Sequence, residues 1–263
     1  MAIPIGGMGI GGIILMLVLY FLTSGGLGGG GSSQPSSPSA GTTPSQPVDP
    51  ANDPDRELVE TVDIIMGDLQ QFWGKTLGER YRPARLVLFT DATSTACGYG
   101  QTAMGPFYCP PDQKAYIDLS FYRDLERRFG APGDFAQVYV LAHEIGHHVQ
   151  NVLGIADEVR RTQAQRPEQA NDLSVRMELM ADCFAGVWGN STSKRGIMEP
   201  GDVEEGLRAA AAIGDDRLQR QSGGRVAPES FTHGSSEQRA RWLRIGLESG
   251  DYKKCDTFQA TTL

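Results

Sequence analysis

One stretch constrains this chain more than any other: Asp134 to Gly154, DFAQVYVLAHEIGHHVQNVLG. Val138, Leu141, Ala142, Ile145, Val149 and Val152 recur at helical spacing, so the stretch is expected to fold as an amphipathic helix packed against a core. Asp134 offers an N-cap and Gly154 a stop. On this helix His143, Glu144 and His147 form the pattern H-E-x-x-H. Residues four apart share a helix face, so both imidazoles can reach one metal ion. Glu144 sits one step round the helix, within reach of a water at that ion without ligating it. Two neutral imidazoles and a carboxylate base are the parts of a zinc hydrolase. The chain has four histidines and three of them fall between His143 and His148, so a surface helix with incidental histidines accounts poorly for the pattern. His148 projects about 100° away from His147. It is expected beside the ligand pair or in solvent, not as a ligand.

A catalytic zinc site needs a third protein ligand and an open position. Pro167 to Asn190 reads as the next long helix, with Leu173, Met177, Met180, Phe184 and Val187 as its apolar stripe. Glu178 and Asp182 lie one turn apart on it. In a helix rich in Met, Ala and Phe, two such carboxylates fit a site better than a solvated acidic face. Glu178 is the candidate ligand, and Asp182 the candidate acceptor for the N–H of a ligating histidine.

Elsewhere the pattern predicts an α+β domain, mainly helical with a small sheet. A helix starts at Asp53-Pro54 and carries Leu58, Val62, Ile65, Leu69 and Phe72. Arg85–Thr90 and Lys114–Tyr122 read as strands, with a two-cysteine loop, Cys97 to Cys109, between them. Phe121–Phe129 reads as a short helix and Pro200–Ile213 as a helix capped near Asp202. Asp215–Gln221 continues that helix or begins a turn. A loop bearing His233 leads to a last helix capped by Ser235 or Ser236, with Trp242 and Ile245, and Arg239 as a candidate, on its core face. Four cysteines allow three pairings, of which Cys97–Cys109 with Cys183–Cys255 is favoured. Disulfides would place the domain outside the cytoplasm; four free thiols are the alternative.

Ile3 to Leu22 carries no charge and is just long enough to span a bilayer core. No basic segment precedes it and no small-residue cleavage pattern follows it, which favours a transmembrane anchor over a cleaved signal peptide. Gly25–Asn52, rich in Gly, Ser and Pro, reads as a flexible tether. The expected organisation is therefore anchor 1–24, linker 25–52 and catalytic domain 53–263. The first basic residue is Arg56, so flanking charge gives no membrane orientation. A net charge of −8 and a pI near 5.1, with no basic stripe, argue against a nucleic-acid partner.

H-E-x-x-H followed on a second helix by Glu178-x-x-Ala181-Asp182 resembles the gluzincin pattern of zinc metallopeptidases. More narrowly, the stretches CGYGQTAMGPFYCP, YIDLSFY, LAHEIGHHVQ, ELMADCFAGVW and FTHGSSEQR resemble the bacterial family of predicted neutral zinc metallopeptidases. With their connections these stretches cover nearly all of residues 55 to 255. The resemblance implies a zincin-like fold, one catalytic Zn2+ and a membrane-tethered domain. It also implies that Tyr116–Phe121 is the strand edging the cleft, where an extended substrate would pair.

Together these features describe a zinc metallopeptidase acting on a peptide or protein substrate. His143, His147 and Glu178 would be its ligands and Glu144 its general base, with the domain on the extracytoplasmic side of a single-pass anchor. His233, as a histidine does in related gluzincins, or Tyr99 would steady the oxyanion. The other two readings of His233 are that it seats the last helix or bonds to backbone. Two other readings stay open: a zinc-bound but idle binding module, and a hydrolase of a non-peptide cell-envelope amide.

Overall fold

The computed structural model describes residues 55–263, apart from 128 and 132. The Ile3–Leu22 span, the 25–52 tether and the Asp53-Pro54 helix start lie outside the described residues. Among the described residues no helix is long and apolar enough to cross a membrane. The chain runs through helix α1 (Arg56–Leu77), strands β1 (Arg85–Phe89), β2 (Ala92–Thr95), β3 (Gly98–Gln101), β4 (Phe107–Cys109) and β5 (Lys114–Asp118), and helix α2 (Leu119–Arg127). It continues through α3 (Asp134–Val152), α4 (Ile155–Gln165), α5 (Ala170–Lys194), α6 (Asp202–Ala212), α7 (Asp215–Gln221) and α8 (Ser236–Ser249). The architecture is α+β, mostly helical with a small sheet.

Close helix approach sets the centre of the fold. A side chain at Gly146 on α3 would bring its Cβ to 2.8 Å from the Ala181 carbonyl oxygen on α5, so only glycine lets the two backbones come this near. Gly186 on α5 and Gly246 on α8 do the same for the next pair. A Cβ on either would land on the other helix's backbone. Around these crossings the apolar faces close into one large core that includes Trp73, Tyr139, Leu141, Ile145, Leu179 and Phe184. Helix α1 contributes Val62, Met66, Leu69, Trp73 and Leu77 to it. Of the predicted stripe Val62 and Leu69 are buried, while Leu58, Ile65 and Phe72 are half-buried and Met66, Trp73 and Leu77 complete the core face.

The sheet has the order β1-β5-β4, with β1 parallel and β4 antiparallel to β5. Tyr116 on β5 therefore pairs with Val87 on one side and Phe107 on the other. This corrects the expectation for Tyr116–Phe121: its strand part is central, not an edge. The strand also stops at Asp118, whose Oδ1 accepts the Ser120 N–H at 2.8 Å and starts α2. The predicted loop between the cysteines holds β3 and β4, and β2 with β3 forms a separate hairpin. Gly100 of that hairpin lies against the Phe107 ring, leaving no room for a Cβ.

Both favoured disulfides are present. Cys97–Cys109 fastens the hairpin to β4, and Cys183–Cys255 ties the C-terminal turn to α5. At the last helix, Ser235 accepts the Gln238 N–H while the Gln238 side chain accepts the Ser235 N–H, a reciprocal capping box.

Candidate metal centre

His143 and His147 lie one turn apart on α3, and Glu178 faces them from α5 across the Gly146 crossing. The two Nε2 atoms are 3.1 Å apart. Glu178 Oε2 is 3.2 Å from His143 Nε2, and Oε1 is 3.4 Å from His147 Nε2. With zinc–ligand bonds of ~2.0–2.1 Å, the edges of a tetrahedral site measure about 3.3 Å. The three donors are spaced as ligands of one zinc ion, which is the fit the chemistry of the set demands. They form a candidate metal-binding group together.

Each imidazole is held from behind. His143 donates from Nδ1 to Asp182 Oδ1 at 2.8 Å, and His147 donates from Nδ1 to Gln150 Oε1 at 2.9 Å. In the neutral form each ring thereby keeps its proton on Nδ1 and turns an Nε2 lone pair towards the same point. Asp182 is fixed in turn: the Tyr139 hydroxyl donates to Oδ1 at 2.5 Å, and Arg239 donates from Nε to Oδ2 and from Nη2 to Oδ1. Gln150 donates its amide to the Met177 carbonyl at 2.6 Å. Gln150, Tyr139 and Arg239 were not expected in the centre. Gln150 is visible in the sequence only as the residue three beyond His147, and Arg239 only as a charge on the core face of α8.

Charge follows this geometry. Burial pushes the Glu178 carboxyl up, but the two imidazoles and His233 outweigh it and hold it well below the usual carboxylate range. Burial pulls His143 down, yet Asp182 and Glu178 prevail and push it up to about 10. Burial likewise opposes ionisation of Asp182, and Arg239 and His143 reverse the direction. Glu144 differs. It is 5 % exposed, no hydrogen bond engages its carboxylate among the described residues, and burial raises its pKa against the pull of both histidines. A carboxylate whose pKa is raised takes up a proton more readily, which suits it to work as a general base. The buried Tyr122 hydroxyl, also without a hydrogen-bond partner among the described residues, lies in the field of Glu144.

His233 approaches from the loop before α8. Its Nδ1 lies 3.1 Å from Asp215 Oδ1, while Asp215 Oδ2 accepts the backbone N–H groups of Thr232, His233 and Gly234. Burial lowers its pKa, but the Asp215 hydrogen bond and Glu178 outweigh it and raise it. Glu178 and His233 thus feel each other directly. Asp215 had no signal in the sequence, since its role depends on a loop returning to the start of α7. Tyr99 stands 60 % exposed on β3, and no hydrogen bond among the described residues ties it to the centre.

His148 is corrected from a neighbour of the ligands or an exposed residue to a core one. It is fully buried, donates from Nε2 to the Arg82 carbonyl at 2.5 Å, and accepts the Tyr108 hydroxyl at Nδ1 at 2.9 Å. It fastens β4 to α3.

The family described as "Putative neutral zinc metallopeptidase" matches residues 1–258. The chain is 49 % identical over 256 residues to "Uncharacterized protein YpfJ" of Escherichia coli K12, covering 95 % of this chain and 87 % of that one. It is 44 % identical over 200 residues to "Uncharacterized protein Rv2575" of Mycobacterium tuberculosis H37Rv, covering 72 % of this chain and 67 % of that one. No solved structure matches it.

Proposed function

Because the chain belongs to the neutral zinc metallopeptidase family, we propose that it is a membrane-tethered, zinc-dependent peptidase of zincin-like arrangement that hydrolyses peptide bonds in protein substrates. The observation that carries this reading is the convergence of His143, His147 and Glu178 on one point beside an unengaged, buried Glu144. His143, His147 and Glu178 would hold a zinc ion, which would supply Lewis acidity for the substrate carbonyl and lower the pKa of the attacking water. Glu144 takes the proton of the attacking water on a carboxylate oxygen and passes a proton to the leaving amine nitrogen. His233, oriented by Asp215, donates from Nε2 to the oxygen that gains charge. Asp182, Gln150 and Arg239 keep the imidazoles in register throughout.

Substrate is held in extended form by a sheet edge. With β5 central, the edge beside the metal-binding helix is β4, whose Tyr108 hydroxyl touches His148 and accepts from Asn151 at 3.1 Å. The uncharged Ile3–Leu22 stretch and the tether after it support membrane anchoring, and the two disulfides support an extracytoplasmic domain.

Hydrolysis of an unfolded-peptide pool by the full-length, zinc-loaded protein tests the reading, with Glu144→Ala as the paired control. Cleavage that vanishes in the variant at unchanged zinc content is expected. Equal cleavage by both proteins contradicts the role of Glu144. Zinc retained by both without any cleavage points to a binding module or to a non-peptide amide substrate.

A further inference from the structure

The two disulfides differ in what a reductant can reach. Cys97 is exposed at the tip of the β2–β3 hairpin, whereas Cys109, Cys183 and Cys255 are fully buried. Cys97–Cys109 therefore turns one of its residues to solvent, and Cys183–Cys255 turns neither. Thiol–disulfide exchange needs access to a sulfur, so a thiolate attacks the first bond more readily than the second. The first also closes a span of only 12 residues against 72, so its loss frees the unfolded chain less and costs the domain less stability.

Apart from this bond the hairpin is lightly held. From residue 92 to residue 101 only Gly100 is buried, and the two strands pair with each other but not with the three-stranded sheet. A two-stranded hairpin is marginally stable by itself in water. Its base is tied to Asp118, whose Oδ2 accepts the Asp91 N–H at 3.1 Å and the Thr102 hydroxyl. At the tip, beside the disulfide, the Ala96 N–H donates to Asp112 Oδ2 at 3.2 Å. Between base and tip, Gly100 covers the Phe107 ring. Phe107, Cys109 and Tyr116 form a small cluster apart from the main core. Tyr108, which separates Phe107 from Cys109, bonds His148 on α3 at 2.9 Å. The disulfide thus clasps a strap over β4, the strand beside the metal-binding helix.

We infer that Cys97–Cys109 is a redox clasp, opened by a dithiol while Cys183–Cys255 stays closed, and that its opening lets the hairpin swing on its Asp118 base and uncovers β4. A thiolate of the dithiol attacks Cys97 Sγ, the S–S bond breaks, and Cys109 leaves as a thiolate that takes up a proton. The second thiolate of the dithiol attacks the mixed disulfide and releases Cys97, which is protonated in turn. Two electrons have then passed to the cysteines, and the dithiol ends as a disulfide. With its cover gone, β4 is less preorganised to hold an extended peptide, and KM rises. This last consequence rests on the metallopeptidase reading.

The test treats the full-length, zinc-loaded protein with graded dithiothreitol, alkylates the thiols formed, and restores zinc once the reductant is removed. Peptide mapping is expected to find Cys97 and Cys109 labelled at about tenfold less dithiothreitol than Cys183 and Cys255. Amide exchange across residues 92–101 is expected to quicken by about tenfold with α3 unchanged. KM for a cleaved peptide is expected to rise about fivefold at unchanged zinc content and kcat. Cys97→Ser/Cys109→Ser, which needs no reductant, should show the same exchange and the same KM. Labelling of all four cysteines together, earlier labelling of Cys183 and Cys255, or unchanged exchange in the hairpin overturns the clasp. An unchanged KM in a protein whose hairpin has opened overturns its action on substrate. If the untreated protein cleaves nothing, the peptidase reading fails by itself, and labelling and exchange still decide the clasp.

Discussion

Arg239 grips Asp182 with two nitrogens, Nε to Oδ2 at 2.8 Å and Nη2 to Oδ1 at 2.9 Å, where neither residue is more than 2 % exposed. The pair joins α8 to α5, and through the Asp182–His143 hydrogen bond it reaches α3. A buried ion pair adds little net stability, yet removing one partner strands the other charge. Arg239→Met is therefore predicted to lower unfolding stability by about 3–5 kcal/mol and to weaken zinc binding as Asp182 loses its anchor. Urea denaturation and a zinc titration check both effects. A loss below about 1 kcal/mol would show that the site tolerates an unpaired Asp182.

Gln150 offers a cleaner test of orientation, because it carries no charge. Gln150→Leu removes the acceptor for His147 Nδ1–H and releases the ring to turn. Zinc affinity, measured by competition with a chelator, is predicted to fall by about 10–100-fold. Gln150→Glu keeps an acceptor oxygen and should retain more of the affinity. Equal losses in the two variants would mean that the amide bond to the Met177 carbonyl matters more than the bond to His147.

For His233 the account separates chemistry from binding. His233→Ala is predicted to lower kcat by about 10²–10³-fold with zinc content unchanged and KM little altered. An increase in KM at constant kcat would instead make His233 a substrate contact.

Far from the metal, Asp68 on α1 accepts two hydrogen bonds from Arg195 and one from the Trp188 indole. Arg195 lowers its pKa from the ordinary 3.8, burial opposes this, and the Trp188 N–H adds to the lowering. The folded-state value lies below the unfolded one, so the contribution to stability is complete above 3.8 and is lost as pH falls through the folded value. The Tm difference between wild type and Asp68→Asn should be constant above about pH 5 and shrink below about pH 4. A difference that stays constant to about pH 2 would show that the pair contributes no proton-linked stability.

The sequence exposed what depends on local spacing. H-E-x-x-H within an apolar stripe located α3, and a carboxylate pair one turn apart located the facing part of α5. The start of α8 was readable to within one residue, as Ser235 or Ser236. Strand order was not readable, because period-two alternation says which face a strand buries but not which neighbours it takes. The resemblance alone places Tyr116 at an edge, and nothing in the spacing opposes it. The apolar run from Leu119 to Tyr122 looked like more strand, and only the Asp118 cap reveals the turn into α2. In the Cys97–Cys109 segment, β3 and β4 are too short and too rich in glycine to show alternation. Arg239, Gln150 and Asp215 act on the site through helix crossings and loop returns. Those are tertiary facts, written in Gly146, Gly186 and Gly246 only once the partner helices are known.

The most direct measurement is zinc stoichiometry and coordination in the full-length protein, by metal analysis and X-ray absorption, compared with the Glu178→Ala and His143→Ala/His147→Ala variants. The account predicts one zinc per chain, with imidazole nitrogen and carboxylate oxygen at ~2.0–2.1 Å, weakened in the first variant and lost in the second. Wild-type protein that binds no zinc, or zinc that survives loss of both histidines, would contradict it.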